Sequence, residues 1–134
     1  MADALRVFRV MLEVEGLDEA AASYGALFGT PGRAVGGGRH YFDLDGVIVG
    51  VVDVARGGGS PSAAGQDLYL ACDDLEAAHA RAGRVGWLSR GEVHGAPAGA
   101  IVVRPWGERS FYVEDPWRNG LCFVDAASLF TGPR

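Results

Sequence analysis

The chain has 134 residues, of which 49% are hydrophobic, so it is long enough to bury the core of one domain. Its net charge of -5 and its lack of a basic run exclude the electrostatic footprint of nucleic-acid binding proteins, and no apolar run approaches the ~20 residues of a membrane span. We therefore expect a single cytoplasmic domain over residues 1–134, without a nucleic-acid or membrane partner.

The first half of the chain predicts the element order βαβββ. Residues 7–14 alternate as in a strand, and apolar residues over 17–28 recur at helical spacing. Residues 38–53 then predict a hairpin around Asp45-Gly46, because this dipeptide suits the positive φ angles of a two-residue turn. These elements form module 1, over residues 1–55.

Residues 56–65, RGGGSPSAAG, predict a flexible linker, because they lack apolar periodicity and are rich in Gly, Ser and Pro. The element order then returns in module 2, over 66–134, with a strand over 66–72 and a helix after an Asp N-cap. Residues 86–99 predict a long irregular loop, which we call the excursion. A strand at Ala100 to Arg104 and a final hairpin over 105–124 follow it.

The two modules predict an internal repeat. A shift of 58 residues places Leu12 on Leu70, and the longer turn of the second hairpin places Gly50 on Cys122. Sequence identity between the modules is low, so the matching order of elements is the stronger evidence.

These two modules, the segment VEGLDEAAASYGALFG and the final hairpin SFYVEDPWRNGLCFV resemble the vicinal oxygen chelate superfamily. That superfamily includes glyoxalase I, extradiol dioxygenases, and fosfomycin-resistance and bleomycin-resistance proteins. The resemblance implies an α+β fold in which two βαβββ modules form facing, cupped mixed sheets with helices outside. It also implies a site enclosed by the cups, within one chain or across a homodimer. The fold does not fix the function, because it hosts many chemistries.

The resemblance places the metal-ligand positions of the superfamily on Arg9, Gly50, Asp67 and Cys122. Arg is always protonated and Gly has no side chain, so only Asp67 is a good oxygen ligand. We therefore expect no metal and no cofactor. In their place we expect the Arg9 guanidinium to pair with Asp67 in the vacated metal site.

Strand alternation indicates which other side chains share the cup with these positions. Ser110 and Tyr112 match the Ser and Tyr that fosfomycin-resistance proteins place against substrate oxygens, and Trp106 is a candidate stacking surface. The cup is aromatic, hydroxyl-bearing and acidic, which suits an aromatic or cationic small molecule. The predicted ligand-binding residues are Arg9, Met11, Glu13, Tyr41, Asp67, Tyr69, Trp106, Ser110, Tyr112, Glu114 and Cys122.

The leading hypothesis is a metal-independent small-molecule-binding protein of the glyoxalase/bleomycin-resistance type, which sequesters a drug and confers antibiotic resistance as a homodimer. The alternative is a metal-dependent lyase, isomerase or dioxygenase of the same superfamily whose ligands lie elsewhere. A third possibility is a metal-free enzyme that uses Tyr112, Glu13 or Glu114 for general acid–base catalysis. The sequence assigns no catalytic residue.

Overall fold

The computed structural model describes residues 4 to 133. The first module contains β1 (Arg9–Val14), α1 (Leu17–Phe28), β2 (Arg33–Gly36), β3 (Arg39–Leu44) and β4 (Val47–Asp53). The second module contains β5 (Leu68–Cys72), α2 (Leu75–Val85), β6 (Glu92–Val93), β7 (Ala96–Pro97), β8 (Val102–Val103), β9 (Arg109–Glu114) and β10 (Gly120–Asp125). Neither of the two helices in this part of the chain is long and apolar enough to cross a membrane.

Each module builds one four-stranded mixed sheet. Sheet A has the order β1-β4-β3-β2 and sheet B the order β5-β10-β9-β8. In each sheet the first strand of the module pairs in parallel with the last, and the remaining pairs are antiparallel. The predicted fold class, α+β with two βαβββ modules, is confirmed. The division at 55 and 65 stays a prediction.

The strand registers show that the modules repeat residue by residue. In sheet A, Gly50 lies opposite Met11 and Tyr41, and in sheet B, Cys122 lies opposite Tyr69 and Tyr112. Met11 and Tyr69 are 58 residues apart, which is the shift that the sequence predicts. Gly50 and Cys122 therefore hold equivalent positions.

Both helices begin and end where the sequence provides a cap. The Asp53 carboxylate accepts hydrogen bonds from the backbone N–H groups of Gly16, the N-cap residue, and Leu17, the first residue of α1. Asp74 accepts one from the backbone N–H of Ala77 in α2. Gly29 and Gly86 then end the helices with φ of 74° and 84°, in the left-handed conformation that Gly tolerates best.

The main core lies between the helices and one face of each sheet. Its buried side chains include Leu12, Val14, Leu27, Phe42, Val51, Leu75, Phe111, Leu121 and Phe123. We call the other face of each sheet its open face. The open face of sheet A carries Arg9, Met11, Glu13, Tyr41 and Gly50, and that of sheet B carries Tyr69, Ser110, Tyr112, Cys122 and Val124.

The excursion over 86–99 is more regular than the sequence predicts. It contains the hairpin β6–β7, whose turn has His94 at φ 50° and Gly95 at φ 76°. The sequence did not predict this turn, because His is less common than Asp or Asn before Gly in a two-residue hairpin turn. The strand predicted at Ala100 to Arg104 is shorter, at Val102–Val103, because Arg104 begins a turn in which the Gly107 N–H donates to the Arg104 carbonyl.

A buried polar cluster joins the two modules. The Tyr24 hydroxyl of α1 donates to Asp115 at 2.6 Å, and the Asn119 amide donates to the same carboxylate oxygen at 2.8 Å. Asn119 also donates to the backbone carbonyl of Glu13 and accepts from Ala64 N–H. The predicted linker is thus held at Ala64, and again where Ser62 N–H donates to Glu13.

Replacing Tyr24 with Phe should destabilise the protein by about 1 to 3 kcal/mol, because the buried Asp115 carboxylate loses a donor. Urea unfolding measures this change. Tyr41→Phe is the matched control, since the Tyr41 hydroxyl accepts a hydrogen bond from the exposed Arg9 side chain, and it should change stability little. Equal stability of Tyr24→Phe and the unmodified protein would contradict the role of this contact.

Burial raises the pKa of Tyr24 far above its ordinary value, and the Asp115 charge raises it further. A raised folded-state pKa contributes stability below the unfolded value of about 10, and the contribution is lost as the pH rises above it. Tyr24→Phe should therefore show a weaker loss of stability above about pH 10 than the unmodified protein.

Candidate functional site

Of the four positions that the resemblance assigns to metal ligands, two, Asp67 and Cys122, carry side chains that bind metal ions. Within residues 4 to 133, no group of three or more His, Cys, Asp or Glu side chains could hold a metal ion. Met11 and Tyr41 cover Gly50 so closely that an added Cβ would lie 2.6 Å from the Met11 sulfur. The thioether therefore occupies the position that a ligand at residue 50 would need.

The predicted pairing of Arg9 with Asp67 is wrong for the single chain. Arg9 is exposed, donates to the Tyr41 hydroxyl at 3.2 Å, and lies over the rings of Phe8 and Tyr41. The Asp67 carboxylate lies against Gly120, where an added Cβ would collide with it. The sequence places Arg9 and Asp67 at corresponding positions of the two modules. In the structure the Arg9 side chain contacts Tyr41, whereas the Asp67 side chain lies beside Gly120.

The polar groups that the chain does bring together lie on the open face of sheet B. Ser110 is buried on β9, and Cys122 is buried opposite Tyr112 on β10. Tyr112 is 9% exposed, whereas Tyr69 on the neighbouring strand is 55% exposed. Tyr69 thus borders solvent while Cys122 and Ser110 lie deeper.

Arg104 is the residue of this face that the sequence prediction missed. Its side chain is only 2% exposed, and its Nε donates to the Ser110 hydroxyl at 2.9 Å. The guanidinium carbon lies 5.1 Å from the centre of the Tyr112 ring. No sequence signal marks Arg104, because an Arg that follows a strand and precedes Pro is usually a surface residue.

The Cys122 thiol is held in its protonated form. Burial raises its pKa to about 11, while hydrogen bonding with Ser110 and Tyr112 and the Arg104 charge oppose the rise. Burial is also the main reason that the pKa of Tyr112 rises well above its ordinary value. Near neutral pH the buried groups of this face are therefore the neutral thiol of Cys122, the neutral hydroxyls of Ser110 and Tyr112, and the Arg104 cation.

The remaining predicted site residues lie around these groups or on sheet A. Trp106 donates to Glu108 at 2.7 Å and packs edge-on against His94, so it stands in the turn before β9. Glu114 is exposed at the end of β9. On sheet A, Glu13 accepts from Ser62 N–H, and Met11 and Tyr41 cover Gly50.

Two grooves of the chain lie outside the buried part of the open face of sheet B. A groove of about 660 Å³ runs along α1 past Ala22, Gly25 and His40. A second groove, of about 520 Å³, lies between the β3–β4 hairpin and β5 and reaches Tyr69. The buried part of the open face of sheet B is covered within the single chain, because Ala98 and Val93 pack against Tyr112, Cys122 and Val124.

The sequence matches no family model and no curated protein. Solved structures with similar folds include a glyoxalase/bleomycin resistance protein from Albidiferax ferrireducens T118, at 22% identity and a TM-score of 0.71 over 87% of this chain and 95% of that one. Another is a bleomycin-binding protein complexed with bleomycin, at 19% identity and a TM-score of 0.64 over 91% and 98%. A third is lactoylglutathione lyase from Agrobacterium tumefaciens, at 18% identity and a TM-score of 0.63 over 92% and 96%.

The chain therefore has the fold of the glyoxalase/bleomycin-resistance proteins, and the resemblance to the vicinal oxygen chelate superfamily is confirmed at the level of the fold. The same fold carries both a drug-binding protein and a lyase. The choice between these functions rests on the side chains of the open faces.

Cys122 should resist thiol reagents in the folded protein. At pH 8 a thiol with a pKa of about 11 is only about one-thousandth thiolate, and it is also buried. In a Cys72→Ser variant, where Cys122 is the remaining thiol, labelling by a disulfide reagent should be slow in buffer and fast in urea. Labelling in buffer as fast as that of free glutathione would contradict the buried neutral thiol.

Proposed function

We propose that this protein binds an aromatic small molecule without a metal ion, in a site built on the open face of sheet B. The observation that carries the proposal is the chemistry at the metal-ligand positions: an exposed Arg9, a covered Gly50 and a neutral Cys122 thiol. None of these is a ligand for a divalent ion in the state found here. Asp67 alone is too little to hold one.

Binding is favoured over acid-base catalysis because the buried groups of the face are poor proton acceptors at neutral pH. The pKa of Tyr112 and that of Cys122 are both raised, so both groups keep their protons. Glu13 is engaged with Ser62 N–H, and Glu114 is exposed at the strand end. A general base needs to reach a substrate proton from within the site.

The aromatic side chains provide the binding surface. Tyr112 and Tyr69 lie on adjacent positions around Cys122, with Tyr69 accessible to a ligand. A flat apolar molecule stacks favourably on such rings, and their hydroxyls donate to its polar atoms. A protein with these properties would hold a drug-like natural product such as bleomycin, which the bleomycin-binding protein of similar fold is complexed with.

We propose that a second copy of the chain covers the open faces, so that the working form is a cytoplasmic homodimer. Phe8, Met11 and Tyr69 are large apolar or aromatic side chains with exposed fractions of 58%, 36% and 55%. Exposed apolar area of this kind is typical of a subunit interface. Covering it would also shield Tyr69, the exposed aromatic residue of the open face of sheet B.

The ligand proposal is tested by titrating the protein with bleomycin and with the neutral planar probe 2-naphthol, with and without EDTA. Binding should be unchanged by EDTA, should shift the NMR signals of Tyr69, Tyr112 and Cys122, and should quench tryptophan fluorescence. Tyr112→Ala should weaken binding by ~10-fold or more through loss of stacking. Trp106→Phe should remove most of the quenching, because Trp106 stands before the hairpin that carries Ser110 and Tyr112.

The matched control is Trp117→Phe, since Trp117 packs on the core beside Trp87. Stoichiometric metal in protein purified without added metal, or binding abolished by EDTA, would contradict the proposal and favour a metal-dependent lyase, isomerase or dioxygenase.

Light scattering at micromolar concentration should give the mass of two chains. Phe8→Asp should shift the particle toward one chain, because burying an unpaired carboxylate in the interface is unfavourable. Val35→Asp, at an exposed position on the edge strand β2, is the control and should leave the mass unchanged. A single-chain mass for the unmodified protein would contradict the homodimer.

A further inference from the structure

Arg104 is a buried cation without a counter-charge. Within residues 4 to 133 the ion pairs are those of Arg109 with Glu76 and with Asp125, and none involves Arg104. Yet Arg104 is only 2% exposed. Buried charges in proteins are normally paired, because removing a charge from water is costly unless an opposite charge compensates.

The hydrogen bonds of the guanidinium are all to neutral acceptors. Nε donates to the Ser110 hydroxyl, and Nη2 donates to backbone carbonyls of Ser110, Ala98 and Ala100 at 3.0, 3.4 and 3.3 Å. Nη1 is buried and has no hydrogen-bond partner. One side of the planar fork is therefore filled and the other lacks an acceptor.

The buried carboxylate of Glu108 does not supply that acceptor. Glu108 accepts from Trp106 Nε1 at 2.7 Å and from the backbone N–H of Phe130 at 2.9 Å, so both of its oxygens have other donors. The contact of Glu108 with Arg104 is a backbone hydrogen bond, in which the Arg104 N–H donates to the Glu108 carbonyl. Among residues 4 to 133, no carboxylate lies within ion-pairing distance of the Arg104 guanidinium.

The surroundings of Arg104 suit a planar anion. The guanidinium lies over the Tyr112 ring, and Tyr112 and Cys122 beside it keep their protons. A carboxylate that accepts from Nη1 would lie next to neutral donors and would neutralise the cation. The same carboxylate on an aromatic molecule would place the ring against the tyrosines of the open face.

We propose that the ligand of this site carries a carboxylate that pairs with Arg104 through Nη1, so that the site selects aromatic acids over aromatic amines. This inference rests on the proposed function and reverses the cationic preference expected from the acidic side chains of the cup. Nη1 is buried beneath the excursion over 86–99, so a ligand reaches it when that segment shifts. That segment is held by the two-residue strands β6 and β7 and by Ala98, whose carbonyl accepts from Nη2.

Three probes of the same size and shape test the charge preference on the unmodified protein: benzoate, benzamide and benzamidine, with charges of -1, 0 and +1. Their dissociation constants are measured by NMR titration, with the Arg104 Nε–H signal as the local readout. Benzoate should bind ~10-fold more tightly than benzamide and should be the one probe that shifts this signal strongly, because a charge-assisted hydrogen bond is about twice as strong as a neutral one.

The possible outcomes separate this inference from the proposed function. Equal binding of the three probes at Tyr112 and Cys122 would support the proposed small-molecule site and would overturn the proposed preference for anions. Tightest binding by benzamidine would overturn it as well and restore a cationic ligand. Failure of all three to shift Tyr69, Tyr112 or Cys122 would contradict both proposals.

A variant pair locates the effect on one side chain. In Arg104→Met the advantage of benzoate over benzamide should disappear, whereas in the control Arg90→Met, at an exposed position, it should persist. An advantage that persists in a folded Arg104→Met protein would overturn the assignment. If Arg104→Met does not fold, the three-probe comparison on the unmodified protein still decides the question.

Discussion

The hydrogen bonds on the Asp115 carboxylate hold the site in place. Its Oδ1 accepts the backbone N–H groups of Trp117 and Asn119, which shapes the turn between β9 and β10, and its Oδ2 accepts from Tyr24 of the first module. This turn fixes the register in which Cys122 lies opposite Tyr112. The chemistry of the open face of sheet B therefore depends on a contact that lies on the opposite, helix-packed side of the fold.

The two modules share one arrangement of strands but present different side chains on their open faces. At the equivalent positions Gly50 and Cys122, sheet A is closed by the Met11 thioether, whereas sheet B offers a thiol between two tyrosines. A buried guanidinium then supplies the positive charge on sheet B. The chain itself supplies this cation, which lacks the open coordination position of a metal ion.

Much of the fold was predictable because local residues determine it. Asp45-Gly46 specifies the first hairpin, Asp74 caps α2, and period-two patterning identifies β1 and β10 with small errors at their ends. These signals depend on neighbours in sequence. The sheet face of Arg9 also followed from alternation, since it depends on the pleat of the strand alone.

The site was predictable only in part, because side-chain partners depend on contacts between distant segments. Alternation cannot show that Asp67 lies against Gly120, and the predicted pair with Arg9 is not formed within the single chain. The Arg104 guanidinium donates to the Ala98 carbonyl of the excursion over 86–99, whose conformation the sequence did not reveal. The homodimer and the residues of the ligand site stay predictions.

The polar cluster between the modules also bears on how the chain folds. Tyr24 and Asp115 are 91 residues apart, and Glu13 and Asn119 are 106 residues apart, so their contacts close loops that span most of the chain. Such non-local contacts slow folding, because the entropy of loop closure is lost before the contacts form. Each half on its own would leave Tyr24 or Asp115 buried without its partner. Synthesis of the second module should therefore be nearly finished before the first module gains its full stability, and the two should unfold together as one cooperative unit.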